Sequence, residues 1–588
     1  MSKQTRTWGT GLALLLGAFL IYLPTADFDY VYYDDVRIVK EHPELYAAPT
    51  LGQSIRAIFT LLPREEPLLL RDLTWAVDAR VFGFPNPRGF HLVNVALHAG
   101  VVLLGFLFLL EVTRRYSLAV LASLGYLVLA VHVEPVAWIM GRKDLLVAFF
   151  GFIALIAHSR ALEVQAGPGQ RLWYGGSLLA VTLALFSKIS AIVFPGVLFL
   201  LALCKPALRG TEPAGGAFPW KRIPKALAGV APHLVVSLLV CFWYQDVLSR
   251  FGLLNRGYSA TLWQHLWNLL ILNPQAWLRD LQLILWPGDV PFFHASPTVL
   301  APILGWQIAT AVLFWIALSA LAVAAWLKRR DYAFYLLSFF VLMVPYMNIQ
   351  YIGIWVASRY LYLAAFCVMT PLAMIVLQSW TGPSRIRAWT AALAFVLCVA
   401  ANIWSLAGLL PAWRNAETLW TREAEHAEAP ADAYYNLASF CYTAATGTAD
   451  PAERERLLQK TSTIVARAKQ RFNASSVTLQ NLLLLDALVA IVRKAPPEQQ
   501  HSALLAAERA GPRNEAILWQ LVRFHYLQAL AAPETSIRET HARQALAYYR
   551  RYGSAAYKGA DFPKRDRAIR AGFLEKFPFL ASELEAQP

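Results

Sequence analysis

Gly9-Thr10-Gly11-Leu12-Ala13-Leu14-Leu15-Leu16-Gly17-Ala18-Phe19-Leu20-Ile21-Tyr22-Leu23 is followed, after Pro24-Thr25-Ala26-Asp27, by Phe28-Asp29-Tyr30-Val31-Tyr32-Tyr33-Asp34-Asp35. The first stretch reads as a membrane helix. The aromatics of the second belong at a bilayer interface. Two adjacent carboxylates just past such a helix are near water yet can be covered by other helices. That is a place where a membrane enzyme keeps a general base or a metal ligand. A polar loop capping the helix would read the same, so the rest of the chain must decide.

The 588 residues are 57% hydrophobic and only 15% charged, with a mean hydropathy of +0.43. A soluble protein carries about a quarter charged residues. Twenty Trp and 24 Tyr fit many helix ends at lipid interfaces. The net charge is +15, but the basic residues cluster in short loops, as membrane orientation and anionic lipid require. No nucleic-acid motif accompanies them. Cys204, Cys241, Cys367, Cys398 and Cys441 have no zinc or disulfide spacing. Lys3 and Arg6 precede the first apolar run, as in a signal sequence, but Leu23-Pro24-Thr25-Ala26 is a poor cleavage site, so an uncleaved signal-anchor is expected.

Apolar runs predict about eleven spans, near 9–24, 92–112, 117–133, 144–160, 172–187, 189–204, 226–244, 303–327, 332–347, 360–378 and 388–410. Residues 263–286 are apolar enough to cross as well. Were they to cross, Lys328-Arg329-Arg330 would lie outside. Read as non-spanning, they leave that cluster and Arg385/Arg387 inside, with Lys3/Arg6, Arg114/Arg115, Arg160/Arg171 and the 205–225 loop. The same parity puts Asp34, Asp35, Glu134, Lys188, Arg359 and the C-terminal region on the outer side. It also puts Arg142 and Lys143 there, against the rule, and misplaced basic residues often hold an anionic ligand. The chain divides into a membrane module, 1–410, and a helical region, 411–588. In the second, apolar residues recur at three- and four-residue steps, as in Leu482, Leu485, Val489 and Val492. Helix pairs at this spacing predict an α-solenoid of tetratricopeptide type, its first hairpin spanning Trp413 to Ala445.

Polar residues that apolar packing does not require collect in a few outer segments. His91, Asn94 and His98 stand at i, i+3 and i+7, one helix face that should look into the bundle, toward substrate or toward helix–helix hydrogen bonds. His132 and Glu134 lie with Arg142, Lys143 and Asp144 between two spans. Two ligand types make a weak metal signal, and the basic pair suits a phosphate. Arg359 opens a helix at the end where the dipole disfavours a cation, so it needs an anion, for which a lipid-linked phosphate is the first candidate and headgroup snorkelling the alternative. Lys188 is placed to join the same anion site.

The ordered set Asp34-Asp35, Arg71-Asp72-Leu73-Thr74, Phe90-His91-Leu92-Val93-Asn94 with His98, Glu134-Pro135-Val136-Ala137-Trp138 with Gly141-Arg142-Lys143-Asp144, Ser187-Lys188 and Arg359-Tyr360-Leu361-Tyr362-Leu363 resembles the transmembrane and tetratricopeptide-repeat O-mannosyltransferases and their bacterial relatives, of the glycosyltransferase C superfamily. The resemblance covers roughly residues 10–445. It departs from the family pattern at Ser358, where an acidic residue is usual, and at Ala364-Ala365, where a proline usually follows the motif.

The resemblance implies an all-α, polytopic fold of glycosyltransferase C type. It implies an inverting transferase that moves a sugar from a polyprenyl-phosphate donor to a hydroxyl on a protein or glycan acceptor, at the outer face of the cytoplasmic membrane. Asp35 would be the general base and Asp34 its orienting partner; a divalent ion held by the Asp34–Asp35 pair stays open. Arg359, Arg142, Lys143 and Lys188 would hold the donor phosphate, and Arg71, His91, Asn94, His98, His132 and Glu134 would line the substrate pocket. The competing readings are a non-catalytic membrane scaffold whose solenoid binds a partner, and a transporter. A scaffold needs one span, and a transporter wants ionisable residues at mid-membrane. The basic-loop parity carries a direct expectation: a reporter active only in the cytoplasm, fused after Pro588, stays silent. An active reporter would overturn the span parity.

Overall fold

The computed structural model describes residues 3–60, 66–212, 219–250, 261–289, 291–292, 304–347, 354–472, 477–555, 562–581 and 583. Every regular element among them is helical. Residues 213–218 of the basic 205–225 loop lie outside the described residues. The chain forms two compact units, Met1–Arg422 and Glu423–Pro588.

In the first unit each predicted span falls on helical segments. Among the described residues six segments are long and apolar enough to cross a membrane: Gln4–Asp27, Pro87–Thr113, Ile189–Leu208, Trp220–Arg250, Gly305–Lys328 and Arg385–Arg414. The chain is a multi-pass membrane protein. Leu313, Ile316, Val323 and Leu327 stand exposed along Gly305–Lys328, an arrangement that lipid satisfies and water does not. Residues 262–285 break into Leu262–Trp267, a widened turn at Asn268–Leu272 and Asn273–Leu285.

Two further segments pass the same test only as bent pairs, Tyr116–Leu127 with Ala130–Ala137 (61°) and Ser358–Ala364 with Phe366–Thr381 (51°). A bend in an apolar helix frees backbone groups that lipid cannot satisfy. At the first bend the Asn402 amide oxygen accepts the freed N–H of Ala130 at 2.9 Å. At the start of the second pair the carboxylate of Glu134 accepts the N–H of Arg359 at 2.9 Å. The bends therefore do more than shorten spans: they bring Glu134 and Arg359 together.

Helix Leu69–Phe82 ends at Gly83, whose φ of 84° suits a residue without Cβ. Asn86 then caps Pro87–Thr113 by accepting the N–H of Arg88, with Pro87 in the first turn. This turn sets Leu69–Phe82 against Pro87–Thr113.

The boundary between units falls at 422/423 rather than at the expected 410/411. Trp413 and Trp420 explain the shift. Both are buried, and the Trp420 indole N–H donates to the Val31 carbonyl at 2.7 Å, tying this stretch to the Asp34–Asp35 loop. The second unit is built from successive helices Ala431–Gly447, Pro451–Arg471, Val477–Val492, Pro497–Ala510, Glu515–Ala531, Thr535–Ala555 and Phe562–Lys576. Helices Ala416–Glu425 and Ala431–Gly447 stand where the two arms of the first hairpin are expected, and Ala431–Gly447 packs on Pro451–Arg471. Leu484, Ala487, Leu504, Ile517 and Leu521 form a buried core shared by three consecutive helices, the nearest-neighbour burial that stacked repeats use.

Candidate active site

The two adjacent carboxylates have opposite fates. Asp35 is 1% exposed. Its carboxylate accepts the N–H groups of Val31 at 2.7 Å, Val36 at 3.0 Å and Tyr33 at 3.3 Å, so it holds the loop's own backbone. Burial pushes the Asp35 carboxyl up to about 6, against those three donors, which lower it. Asp34 is partly exposed and meets Arg37 at 3.2 Å. The expected division of labour, with Asp35 taking a proton and Asp34 orienting it, is therefore reversed in geometry. Asp35 has its oxygens committed to the backbone, and Asp34 is the one presented. Among the described residues no three His, Cys, Asp or Glu side chains are grouped to hold a metal ion.

Tyr33 stacks on Trp138 with ring centroids 4.9 Å apart, and the Arg359 guanidinium lies 5.6 Å from the Trp138 ring. One indole thus links the Asp34 loop to Arg359. Trp138 is placed by a tight turn. Gly141 lies so close to the Pro135 carbonyl that a Cβ has no room, which folds Glu134–Gly141 back on itself.

Arg359 is buried. Its Nη1 pairs with Glu134, while Nε and Nη2 have no partner among the described residues. The anion that its helix-start position demands is thus supplied inside the protein, by Glu134. Glu134 is accordingly a counter-ion and helix cap rather than a pocket-lining group. Lys188 donates to Asp144 at 2.7 Å, and its ammonium lies 5.1 Å from the Tyr346 ring and 5.6 Å from the Tyr360 ring. Those rings stack 4.0 Å apart, and Arg359 lies 5.0 Å from Tyr360. Lys188 and Arg359 therefore approach the same tyrosine beside a cleft lined by Asp144, Ser190, Tyr346, Arg359, Tyr360 and Tyr362.

Lys143 donates to Glu66 at 2.8 Å, and Glu66 also meets Arg71 at 3.4 Å. Arg71 is held in turn by Asp72 at 2.9 Å and lies over the Trp75 ring. Burial would raise the Glu66 carboxyl, but the Lys143 and Arg71 charges override it and bring it down to about 2.

Arg142 does not join this group. It is fully buried, with Nη1 on Asp78 and Thr74, Nε on the Asn94 amide oxygen at 2.8 Å and Nη2 on the Phe90 carbonyl at 2.7 Å. Its fork is used up in tying three helical segments together, so the expectation of a phosphate ligand is corrected. The expected substrate pocket is corrected likewise. Asn94 donates to the Trp138 carbonyl at 3.0 Å, and His98 Nδ1 shares a hydrogen bond with the Tyr362 hydroxyl at 2.7 Å. His132 packs edge-on against Tyr126 and Tyr362, His91 against Phe28. All four are buried and packed against protein groups, and Arg71 is a buried ion-pair member. Asp78 and Glu66 were not singled out from the sequence. Asp78 had a signal: with Arg71 and Thr74 it stands at i, i+3 and i+7, one polar helix face.

These features define an all-helical, multi-pass membrane protein with a paired-charge cleft at the end that carries the Asp34–Asp35 loop. No protein-family model matches the chain. The chain is similar to protein O-mannosyl-transferases. It is 28% identical over 204 residues to TMTC4 of Homo sapiens, covering 31% of this chain and 27% of that protein. It is 24% identical over 415 residues to TMTC1 of Homo sapiens, covering 63% and 45%. The chain thus spans less than half the length of these curated relatives. Among solved structures, the Archaeoglobus fulgidus oligosaccharyltransferase tethered with an acceptor peptide is 13% identical at a TM-score of 0.37, covering 77% of this chain and 58% of that one. The AglB oligosaccharyltransferase of the same organism, in complex with an inhibitory peptide and a dolichol-phosphate, is 12% identical at a TM-score of 0.37, covering 76% and 59%. Likenesses of that size carry no argument about the cleft.

The Arg142–Asp78 pair makes a sharp prediction. Arg142→Met strands a buried carboxylate and should cost about 3–5 kcal/mol, whereas Arg142→Met with Asp78→Leu should cost less than the single change. Denaturation of the purified variants in detergent measures both. A single-variant loss below about 1 kcal/mol would contradict the structural role.

Proposed function

We propose that this chain is a membrane glycosyltransferase. It moves a sugar from a polyprenyl-phosphate donor to a hydroxyl acceptor, in protein O-glycosylation on the non-cytoplasmic face. The observation that carries the reading is the approach of Lys188 and Arg359 to Tyr360 at one cleft, a single indole away from the Asp34 loop. Similarity to protein O-mannosyl-transferases supports it.

The chemistry follows from these groups. The acceptor oxygen attacks the anomeric carbon on the face opposite the phosphate. The C–O bond to phosphate breaks, and the electron pair leaves with the phosphate. Such a leaving group asks for little beyond a positioned base and stabilisation of the charge it gains. Arg359, with Nε and Nη2 still available, and Lys188, with one donor on Asp144, face that charge. Asp34 is the base that receives the acceptor proton. Asp35 holds the loop that presents Asp34, through the N–H groups of Val31, Tyr33 and Val36. Asp35 is then a positioning residue. The helical unit from Glu423 onward is assigned to binding the acceptor.

The two aspartates separate by their pH behaviour. Below about pH 6 Asp35 takes up a proton, becomes a poorer acceptor and lets the loop relax; above it, the ionised carboxylate orders the loop. Transfer should therefore rise with pH through about 6 and then level off. Asp34→Asn should lower the plateau by about a hundred- to ten-thousandfold. Asp35→Asn should cost less and erase the step near 6. The readout is sugar transfer from a synthetic polyprenyl-phosphate donor by purified variants of equal thermal stability. A full plateau in Asp34→Asn would remove Asp34 from the chemistry.

A further inference from the structure

Glu66 stands apart from the other carboxylates of the cluster. Asp72 and Asp144 lie on the helices Leu69–Phe82 and Arg142–Ala161, with side chains 13% and 5% exposed. Glu66 precedes the first of these helices, and its side chain is 37% exposed. The cations it faces are far less accessible: the Lys143 side chain is 10% exposed and that of Arg71 2%. Of the three acidic groups, Glu66 alone can turn out to water without carrying a charge into apolar surroundings. Lys143 and Arg71 cannot follow it. Left behind, Lys143 would be buried without its carboxylate, while Arg71 keeps only Asp72. An anion has to take the vacated place.

We propose that Glu66 is the resident counter-anion of the donor-phosphate subsite, holding between Lys143 and Arg71 the place that the lipid-linked phosphate takes and swinging out as it binds. The inference rests on the functional reading above and extends it to the residue that sets donor affinity. The charge count fits. Arg71, Lys143 and Lys188 are balanced by Glu66, Asp72 and Asp144. Withdrawing Glu66 leaves one net positive charge, the complement of a phosphodiester with one negative charge. A diphosphate would leave the cluster over-filled. The Glu66 carboxyl, held low by its cations, stays ionised across the physiological range, so the exchange is of anion for anion and needs no proton. Phosphate oxygens accept from the ammonium and guanidinium as a carboxylate does.

The test titrates the methyl ester of undecaprenyl phosphate, a phosphodiester with one negative charge, with undecaprenol as the neutral control, into the purified full-length protein in detergent, following intrinsic tryptophan fluorescence. Glu66→Gln and Glu66→Ala should bind the phosphate at least fivefold more tightly than the unsubstituted chain. Lys143→Met should bind it at least fivefold more weakly, and undecaprenol should not distinguish the four proteins. Loss of a merely structural ion pair would not raise affinity. In the unsubstituted protein, carbodiimide labelling of Glu66 read by mass spectrometry should increase when the phosphodiester is present. Unchanged or weaker binding by both Glu66 variants, or unchanged labelling, overturns the inference. If Lys143→Met still lowers affinity, the phosphate site survives that result. If no protein prefers the phosphate to the alcohol, the phosphate reading fails and Glu66 has no such role.

Discussion

A cation held between helices must have an anion, and the end of this molecule that carries the Asp34–Asp35 loop is organised by that requirement. Arg142 has Asp78, Arg359 has Glu134, Lys188 has Asp144, Lys143 has Glu66 and Arg71 has Asp72. Leaving any one alone in an apolar bundle would cost more than most single contacts can return. The pairs explain why the helices bend where they do. The bend after Tyr116–Leu127 delivers Glu134, and the break before Phe366–Thr381 delivers Arg359 with its backbone N–H aimed at the same carboxylate.

The pairs are not equivalent, and the difference separates scaffold from site. Arg142–Asp78 is sealed, with every direction of the guanidinium fork met by a side chain or carbonyl. Arg359 borders a cleft whose lining includes Asp144, the partner of Lys188, and Tyr360, which both cations approach. Lys143 leans on a carboxylate that water already reaches. The same ion-pair chemistry thus yields a rigid tie in one place and an exchangeable one in another, according to burial.

The helices were legible because long apolar runs are a strong, redundant signal. The demand of Arg359 for an anion was legible too, because the helix dipole sets it. What was not legible is direction. Arg142 and Lys143 are neighbours, but successive residues on a helix point about 100° apart. One faces Asp78 and Asn94 while the other faces Glu66, and the sequence cannot say which meets the cleft. Asp34 and Asp35 pose the same problem in a loop, where only the donors of Val31, Tyr33 and Val36 reveal that Asp35 turns inward. The compact units divide at 422/423 rather than 410/411: Trp413 and Trp420 read as the start of a repeat, whereas Trp420 packs on the first loop and Trp413 on Phe292. Partners distant in sequence, such as Trp420 and Val31, leave no periodic trace.

The central claim is that the Lys188–Arg359 cleft receives a lipid-linked phosphate beside the Asp34 loop. A cryo-electron microscopy map of the full chain in a lipid nanodisc, saturated with a polyprenyl-phosphate sugar, tests it most directly. The account predicts phosphate density within hydrogen-bond reach of Lys188, in the group of cations that also holds Arg359 and Lys143, with the sugar directed toward Trp138 and Asp34. Phosphate density elsewhere on the bundle, with the cleft closed by its own ion pairs, would contradict it.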